Sequence, residues 1–149
     1  MGELDHIFEQ WVSTYRGSRE NFMELLEGLD ESSARARVIE GRHSIWEIVN
    51  HCTYWVEAAI GALNGVEMPA RVDDWPPVGE GMGDWRADVK KFKQAIDGLV
   101  RAVEGFDMGR LHEGVPGEHY PYSYFQMFFR MAYHNIHHGG QIAILRPKE

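Results

Sequence analysis

Near the end of the chain, residues 133–142 read Tyr133-His134-Asn135-Ile136-His137-His138-Gly139-Gly140-Gln141-Ile142. In a helix, His134 and His138 lie four residues apart, so their imidazoles project from one face about one turn apart. Two neutral imidazoles at this spacing can share a metal ion but cannot complete its coordination. The stretch therefore predicts part of a metal site on a helix, with a further ligand from another segment.

Four segments of the chain repeat apolar residues at helical spacing, and they are residues 3–28, 45–64, 84–103 and 122–145. Ser44-Ile45-Trp46-Glu47 is a capping box before the second segment, and Asp84 is interpreted as the N-cap of the third. The connections 30–43, 65–83 and 104–121 are rich in helix-breaking or turn-forming residues, and the first has room for a short helical turn. Nothing between the segments resembles a strand, so the pattern predicts an all-α four-helix bundle.

Composition narrows the class of protein further. A chain of 149 residues with 44% hydrophobic content fits a single domain over residues 1–149. The net charge of −8 disfavours binding to nucleic acid or to anionic membranes. No apolar run approaches the roughly 20 residues of a membrane-spanning helix. With one cysteine, Cys52, and an acidic start that does not resemble a signal peptide, we expect a soluble, cytoplasmic protein.

The second helix offers one histidine as the third ligand, His51. His51 lies roughly 10 Å from the start of its helix, whereas His134 and His138 lie roughly 18 and 24 Å from the start of theirs. The three converge only if the two helices are antiparallel, which requires an up-down-down-up bundle with a long crossover between the second and third helices. Residues 65–83 are long enough to form this crossover, because a span of roughly 30 Å takes about 10 extended residues.

Two motifs carry a resemblance to a known family. Ser44-Ile45-Trp46-Glu47-Ile48-Val49-Asn50-His51 resembles the first histidine motif of the DinB/YfiT-like superfamily, and residues 134–142 resemble its C-terminal H-x-x-x-H-x-G-Q motif. The resemblance implies an up-down-down-up bundle whose ligands are His51, His134 and His138. It also implies a divalent transition metal, nickel or zinc, and a homodimer. Characterised members use low-molecular-weight thiols, while others have no assigned activity.

Three histidines leave open positions on a divalent ion, as in catalytic zinc sites. We therefore expect a metal-dependent enzyme that transfers or adds a small thiol, or hydrolyses a small molecule. The alternative is a noncatalytic, stress-associated metal-binding protein or dimeric scaffold, in which the metal only holds two helices together.

Several neighbouring side chains are candidates for further roles at this site. Glu47 lies one turn before His51, where it is a candidate to accept a proton or bind the metal, although its capping box is the interpretation we favour. Gln141, one turn after His138, is expected to bond either a metal-bound water or a backbone group. His137 is turned away from the ligands, and Cys52 is expected to serve packing. The Gly139-Gly140 pair is expected to loosen the last helix or end it early.

In this topology the substrate pocket is expected at the end of the bundle near the metal. Its walls are predicted to be the 30–43 connection, Trp46, the end of the crossover with Trp75 and Met82, and Trp85. The 104–121 connection is expected to be remote from the chemistry. Its aromatic residues and those that follow are expected to serve the core and a dimer interface: Tyr120, Tyr122, Tyr124, Phe125, Phe128 and Phe129.

Overall fold

The computed structural model describes residues 2–148, which form five α-helices and one turn of 3-10 helix, Met108–Arg110. The helices are α1 Glu3–Leu26, α2 Glu31–Arg35, α3 Ile45–Leu63, α4 Met82–Glu104 and α5 Tyr124–Leu145. The long helices α1, α3, α4 and α5 correspond to the four predicted segments, and α2 is the short turn in the first connection. Residues 2–148 contain no strand, so the all-α prediction is confirmed.

Hydrogen bonds at the helix ends give the direction of α4 relative to its neighbours. The indole Nε1 of Trp85, early in α4, donates to the Leu29 carbonyl just beyond the end of α1, at 3.0 Å. At the other end, Arg16 of α1 pairs with Glu104, the last residue of α4. The two helices are therefore antiparallel.

The remaining directions complete the predicted topology. Tyr15 of α1 donates to the carbonyl of Phe128 early in α5, and Arg146 after α5 donates to carbonyls at the end of α1, so α1 and α5 are parallel. Tyr124 at the start of α5 donates to the Ala62 carbonyl at the end of α3, so these two helices are antiparallel. The bundle is up-down-down-up, and residues 64–81 form the crossover from α3 to α4.

The helix starts follow the local capping chemistry, with one correction. The Ser44–Glu47 capping box begins α3 as predicted. Helix α4 begins at Met82 with Gly81 as its N-cap, three residues before the predicted N-cap Asp84. Asp84 is instead the third helical residue, and its carboxylate accepts hydrogen bonds from the backbone amides of Glu80 and Gly81. Those bonds lower the pKa of Asp84 and keep it charged at the helix start.

The Gly139-Gly140 pair does not weaken α5, so that expectation was wrong. The helix is continuous to Leu145. A Cβ on Gly139 would lie 3.2 Å from Nδ2 of Asn21 and 3.4 Å from Cε2 of Phe22, both on α1. The missing side chain therefore lets α1 and α5 pack closely, and this packing offsets the helix propensity lost at glycine.

Candidate metal centre

His51 from α3 meets His134 and His138 from α5 in the bundle interior. One ring nitrogen from each lies within 4.8 Å of the other two, and the Nε2 atoms of His51 and His134 are 3.1 Å apart. Imidazole nitrogens bind zinc at about 2.1 Å, which sets two ligand atoms of a tetrahedral ion roughly 3.4 Å apart. The structure therefore brings together the predicted triad at a spacing that can hold one metal ion.

Hydrogen bonds orient two of the three rings. Nδ1 of His51 donates to the backbone carbonyl of Asp74 at 2.6 Å, and Nδ1 of His138 donates to the side-chain oxygen of Gln141 at 2.6 Å. A proton on Nδ1 leaves the Nε2 lone pair free, which is the form that binds a metal. The surroundings therefore prepare both Nε2 atoms as ligands.

The third ring, His134, is the one whose polar atoms are least satisfied. Its Nδ1 is buried and has no hydrogen-bond partner within residues 2–148. Its Nε2 faces the Nε2 of His51, which is already the unprotonated nitrogen of that ring. An ion between the two Nε2 atoms would satisfy both lone pairs, so the donor set fits a divalent metal that accepts imidazole ligands.

Burial keeps the triad neutral. Burial, followed by repulsion from His138 and His51, lowers the pKa of His134 to about 3. Burial also lowers the pKa of His138 to about 4, against the opposing bond from Gln141, and it lowers the pKa of His51. All three imidazoles are therefore unprotonated at neutral pH and available as ligands.

The end of the crossover supports His51 from outside the triad. The ring of Trp75 stacks on His51 at 3.9 Å between centroids and also on His43 at 3.5 Å. The buried carboxylate of Asp74 accepts a bond from Nε1 of Trp55 at 2.9 Å. Trp75 was predicted to line the pocket, whereas Asp74 and His43 were missed because their role depends on how the crossover folds back over α3.

Two cavities adjoin the triad, with Trp75 and His138 as shared walls. We call the first the isoleucine chamber, a cavity of about 400 Å³ whose walls include Ile39, Ile48, Ile144, His43, Arg42 and Gln141. We call the second the arginine chamber, a cavity of about 380 Å³ whose walls include Arg71, Arg130, Tyr120, Tyr122, His51 and His134. Both volumes suit small-molecule ligands.

The predicted pocket walls Trp46, Met82 and Trp85 line neither chamber. Trp46 is fully buried and donates to the Asp88 carboxylate at 2.7 Å, and Trp85 is buried against α1. Met82 lines a separate depression beside Trp85. The expectation was wrong because α4 is parallel to α3 on the side away from α5, which directs these side chains into the core between α1, α3 and α4.

The expectation that the 104–121 connection is remote was also wrong. Tyr120 of this connection and Tyr122 just beyond it line the arginine chamber. The connection is tied to the start of the crossover by a bond from the Met68 amide to the Pro116 carbonyl at 3.2 Å. This contact carries the two tyrosines alongside α3 towards the triad, while His112 and His119 line neither chamber.

The two residues proposed for chemistry have different surroundings. Glu47 caps α3 and pairs with Arg37, and it lines neither chamber. Burial alone would raise the pKa of Glu47, but bonds from Arg37, Ser44 and His43 lower it to about 2, which makes it a poor proton acceptor. Gln141 bonds the rings of His138 and His137, and within residues 2–148 its side chain bonds no backbone group.

Cys52 is fully buried, and burial raises the pKa of its thiol, so it serves packing as expected. No helix within residues 2–148 has the length and apolarity needed to cross a lipid bilayer.

Comparison with known proteins agrees with the motifs. No curated protein and no solved structure matches the chain. The family model described as DinB superfamily matches residues 14–142, which include the whole histidine triad and both motifs. The match covers most of the 149 residues. The chain therefore belongs to the DinB superfamily.

Proposed function

We propose that this protein is a metal-dependent enzyme that activates a small thiol or a water molecule for nucleophilic attack on a small substrate. The observation that carries the proposal is the convergence of three neutral imidazoles beside two cavities of ligand size. Nickel or zinc suits this imidazole donor set. When bound, such an ion lowers the pKa of a coordinated water or thiol and supplies a nucleophile at neutral pH.

The walls of the chambers favour a nucleophile that comes from outside the chain. Among the described residues that line them there is no serine, threonine, cysteine or lysine. The chain's own contribution is to position the reactants. Asp74 and Gln141 hold two ligand rings, and Trp75 shields His51 from solvent.

The competing function is a structural metal in a noncatalytic protein. A structural zinc site normally has four protein ligands, whereas this group contains three. Contacts away from the histidines, such as the Tyr124 bond to Ala62, also hold α3 against α5. We therefore favour catalysis, and we expect chelation to leave the helical circular dichroism intact and to lower the melting temperature only modestly.

The test is to load the protein with nickel or zinc and incubate it with a panel of cellular thiols and an aryl halide as electrophile. We expect turnover with at least one thiol that requires the metal, or else metal-dependent hydrolysis of a model ester. A protein that binds metal but unfolds on chelation and turns over neither substrate would favour the structural alternative.

We also propose that the protein is a homodimer formed through the outer face of α5. Phe129, Tyr133, Ile136 and Ile144 are each more than half exposed, and their spacing places them on one side of the helix, where Tyr133 and Ile144 also border the two chambers. An exposed apolar stripe of this kind is typical of interaction surfaces. Replacing Ile136 by Lys should convert a dimer to a monomer in analytical ultracentrifugation, whereas Val72→Lys, at an equally exposed position in the crossover, should not. A wild type that sediments as a monomer at all concentrations would contradict the proposal.

A further inference from the structure

The arginine chamber concentrates positive charge in a chain whose net charge is −8. Arg130 makes no ion pair with any carboxylate of residues 2–148, and Arg71 lies 3.9 Å from the Asp74 carboxylate. Asp74 is the only acidic side chain among the described walls, and it already accepts a bond from Trp55. The two guanidinium groups therefore have most of their hydrogen-bonding capacity free for a ligand.

Aromatic side chains connect the two arginines. The guanidinium of Arg130 lies 5.0 Å from the ring centre of Tyr122, and the ring of Tyr120 lies 5.4 Å from that of Tyr122. The buried hydroxyl of Tyr120 has no hydrogen-bond partner within residues 2–148. The chamber thus offers two cations and an unused hydroxyl on an aromatic surface, which is a set of donors suited to an anion.

Arg71 is also within reach of the triad. Arg71 Nε is 3.9 Å from the Asp74 carboxylate, which is itself 3.7 Å from Nδ1 of His51, so the guanidinium lies within roughly 8 Å of that ring. A molecule with only a few bonds between its two ends can span this distance. The isoleucine chamber, by contrast, has Arg42 as its only arginine.

We propose that the arginine chamber binds the carboxylate of a small organic acid and holds the other end of that molecule at the three histidines. Arg71 and Arg130 donate to the carboxylate, as guanidinium groups do with planar acids. A monoanion suits the chamber better than a phosphate dianion, because the Asp74 carboxylate beside Arg71 repels the second charge. The placement of the other end at the histidines rests on the proposed function, because it requires that the thiol or other metal-bound reactant also carries a carboxylate.

The first experiment tests the chamber in metal-free protein, where a carboxylate cannot bind an ion instead. Butyrate and its neutral isostere butyramide are titrated at pH 7.5 and followed by nuclear magnetic resonance shifts of the tyrosine and tryptophan rings. We expect butyrate to bind at least fivefold more tightly than butyramide. The double variant Arg71→Gln, Arg130→Gln should abolish the preference, whereas Arg42→Gln should retain it.

Equal binding of butyrate and butyramide would overturn the proposal. So would a preference that survives the double variant, or tighter binding of inorganic phosphate than of butyrate. All three arginines are largely solvent-accessible, and circular dichroism of each variant checks that the fold is retained.

The second experiment tests the reach to the histidines in cobalt-loaded protein. 3-Mercaptopropionate is compared with 3-mercaptopropanamide, and thiolate binding is followed by the cobalt–sulfur absorption. We expect the acid to bind about tenfold more tightly than the amide, with the ratio falling to near one in the double variant. If neither thiol produces the absorption, the thiol half of the proposed function fails, while the butyrate titration still decides the chamber. If both thiols bind equally, the proposed reach from arginines to metal is wrong and the proposed function stands.

Discussion

The isoleucine chamber and the arginine chamber share Trp75 and His138 but differ in the rest of their walls. The first is made by the connection before α3 and the end of α5, and its walls include three isoleucines. The second is made by the crossover, the connection before α5 and the middle of α5, and it carries two arginines and three tyrosines. The proposed function thus gives one metal centre two reactants of different polarity, because each chamber draws its walls from different connections between the same helices.

The largest effect should come from His138, a metal-ligand candidate that lines both chambers. Replacing His138 by Ala should lower nickel or zinc affinity at least about 100-fold, because it removes one of three ligands and the only one that lines both chambers. Competition with a chromogenic chelator measures this. His137→Ala, next in the chain, should change affinity by less than tenfold, and equal losses in the two variants would remove His138 from the ligand set.

Gln141 should have the next largest effect, although it lines only the isoleucine chamber. Its oxygen holds Nδ1 of His138, and loss of such a support typically costs 10–100-fold in metal affinity. Gln141→Leu is therefore expected to weaken metal binding by roughly tenfold or more. The same chelator competition applies, with Gln126→Leu at the exposed start of α5 as control. Unchanged affinity would mean that the ring is held by packing alone.

Acid should destabilise the metal-free protein through the shared histidines. The ordinary histidine pKa is 6.5, but it is about 3 for His134 and about 4 for His138 in the folded chain. Between the folded-state pKa values and the ordinary value of 6.5, the unfolded chain binds more protons than the folded chain. The free energy of unfolding therefore falls as the pH decreases through this range. Urea unfolding at pH 7.5 and 5.5 should differ by an amount on the order of 1 kcal/mol. His138→Gln should reduce the difference, and a stability that rises towards pH 5.5 would contradict the burial argument.

The smallest effect should be confined to one chamber. Ile39→Ser removes apolar surface from the isoleucine chamber and should weaken an apolar inhibitor by about threefold to fivefold. Its neighbour Val38, which lines neither chamber, supplies the control Val38→Ser. The preference of the arginine chamber for butyrate should stay the same in both. A change in that preference would show that the chambers are not independent.

The helices and the triad were predictable because they depend on local periodicity and on simple geometry. The capping box of Ser44 and Glu47 predicts the start of α3, and the four-residue spacing of His134 and His138 places them on the same helix face. The triad requires α3 and α5 to be antiparallel, and the crossover is long enough to permit the topology in which His51 joins them. The start of α4 was misplaced because Asp84 can satisfy the first amides of a helix from its third position as well as from the N-cap.

Residues 133–142 and the motif before His51 were enough to indicate the family by resemblance. The four periodic segments indicated the bundle, and spacing along two helices with the length of one connection indicated the group that can hold a metal. The chambers required the tertiary structure. The sequence predicted both Trp46 and Trp75 as pocket walls, but tertiary contacts bury Trp46 in the core and place Trp75 against His51. Tyr120 and Arg71 reach the site only because two connections pack together, and the folds of long connections depend on distant contacts instead of local periodicity.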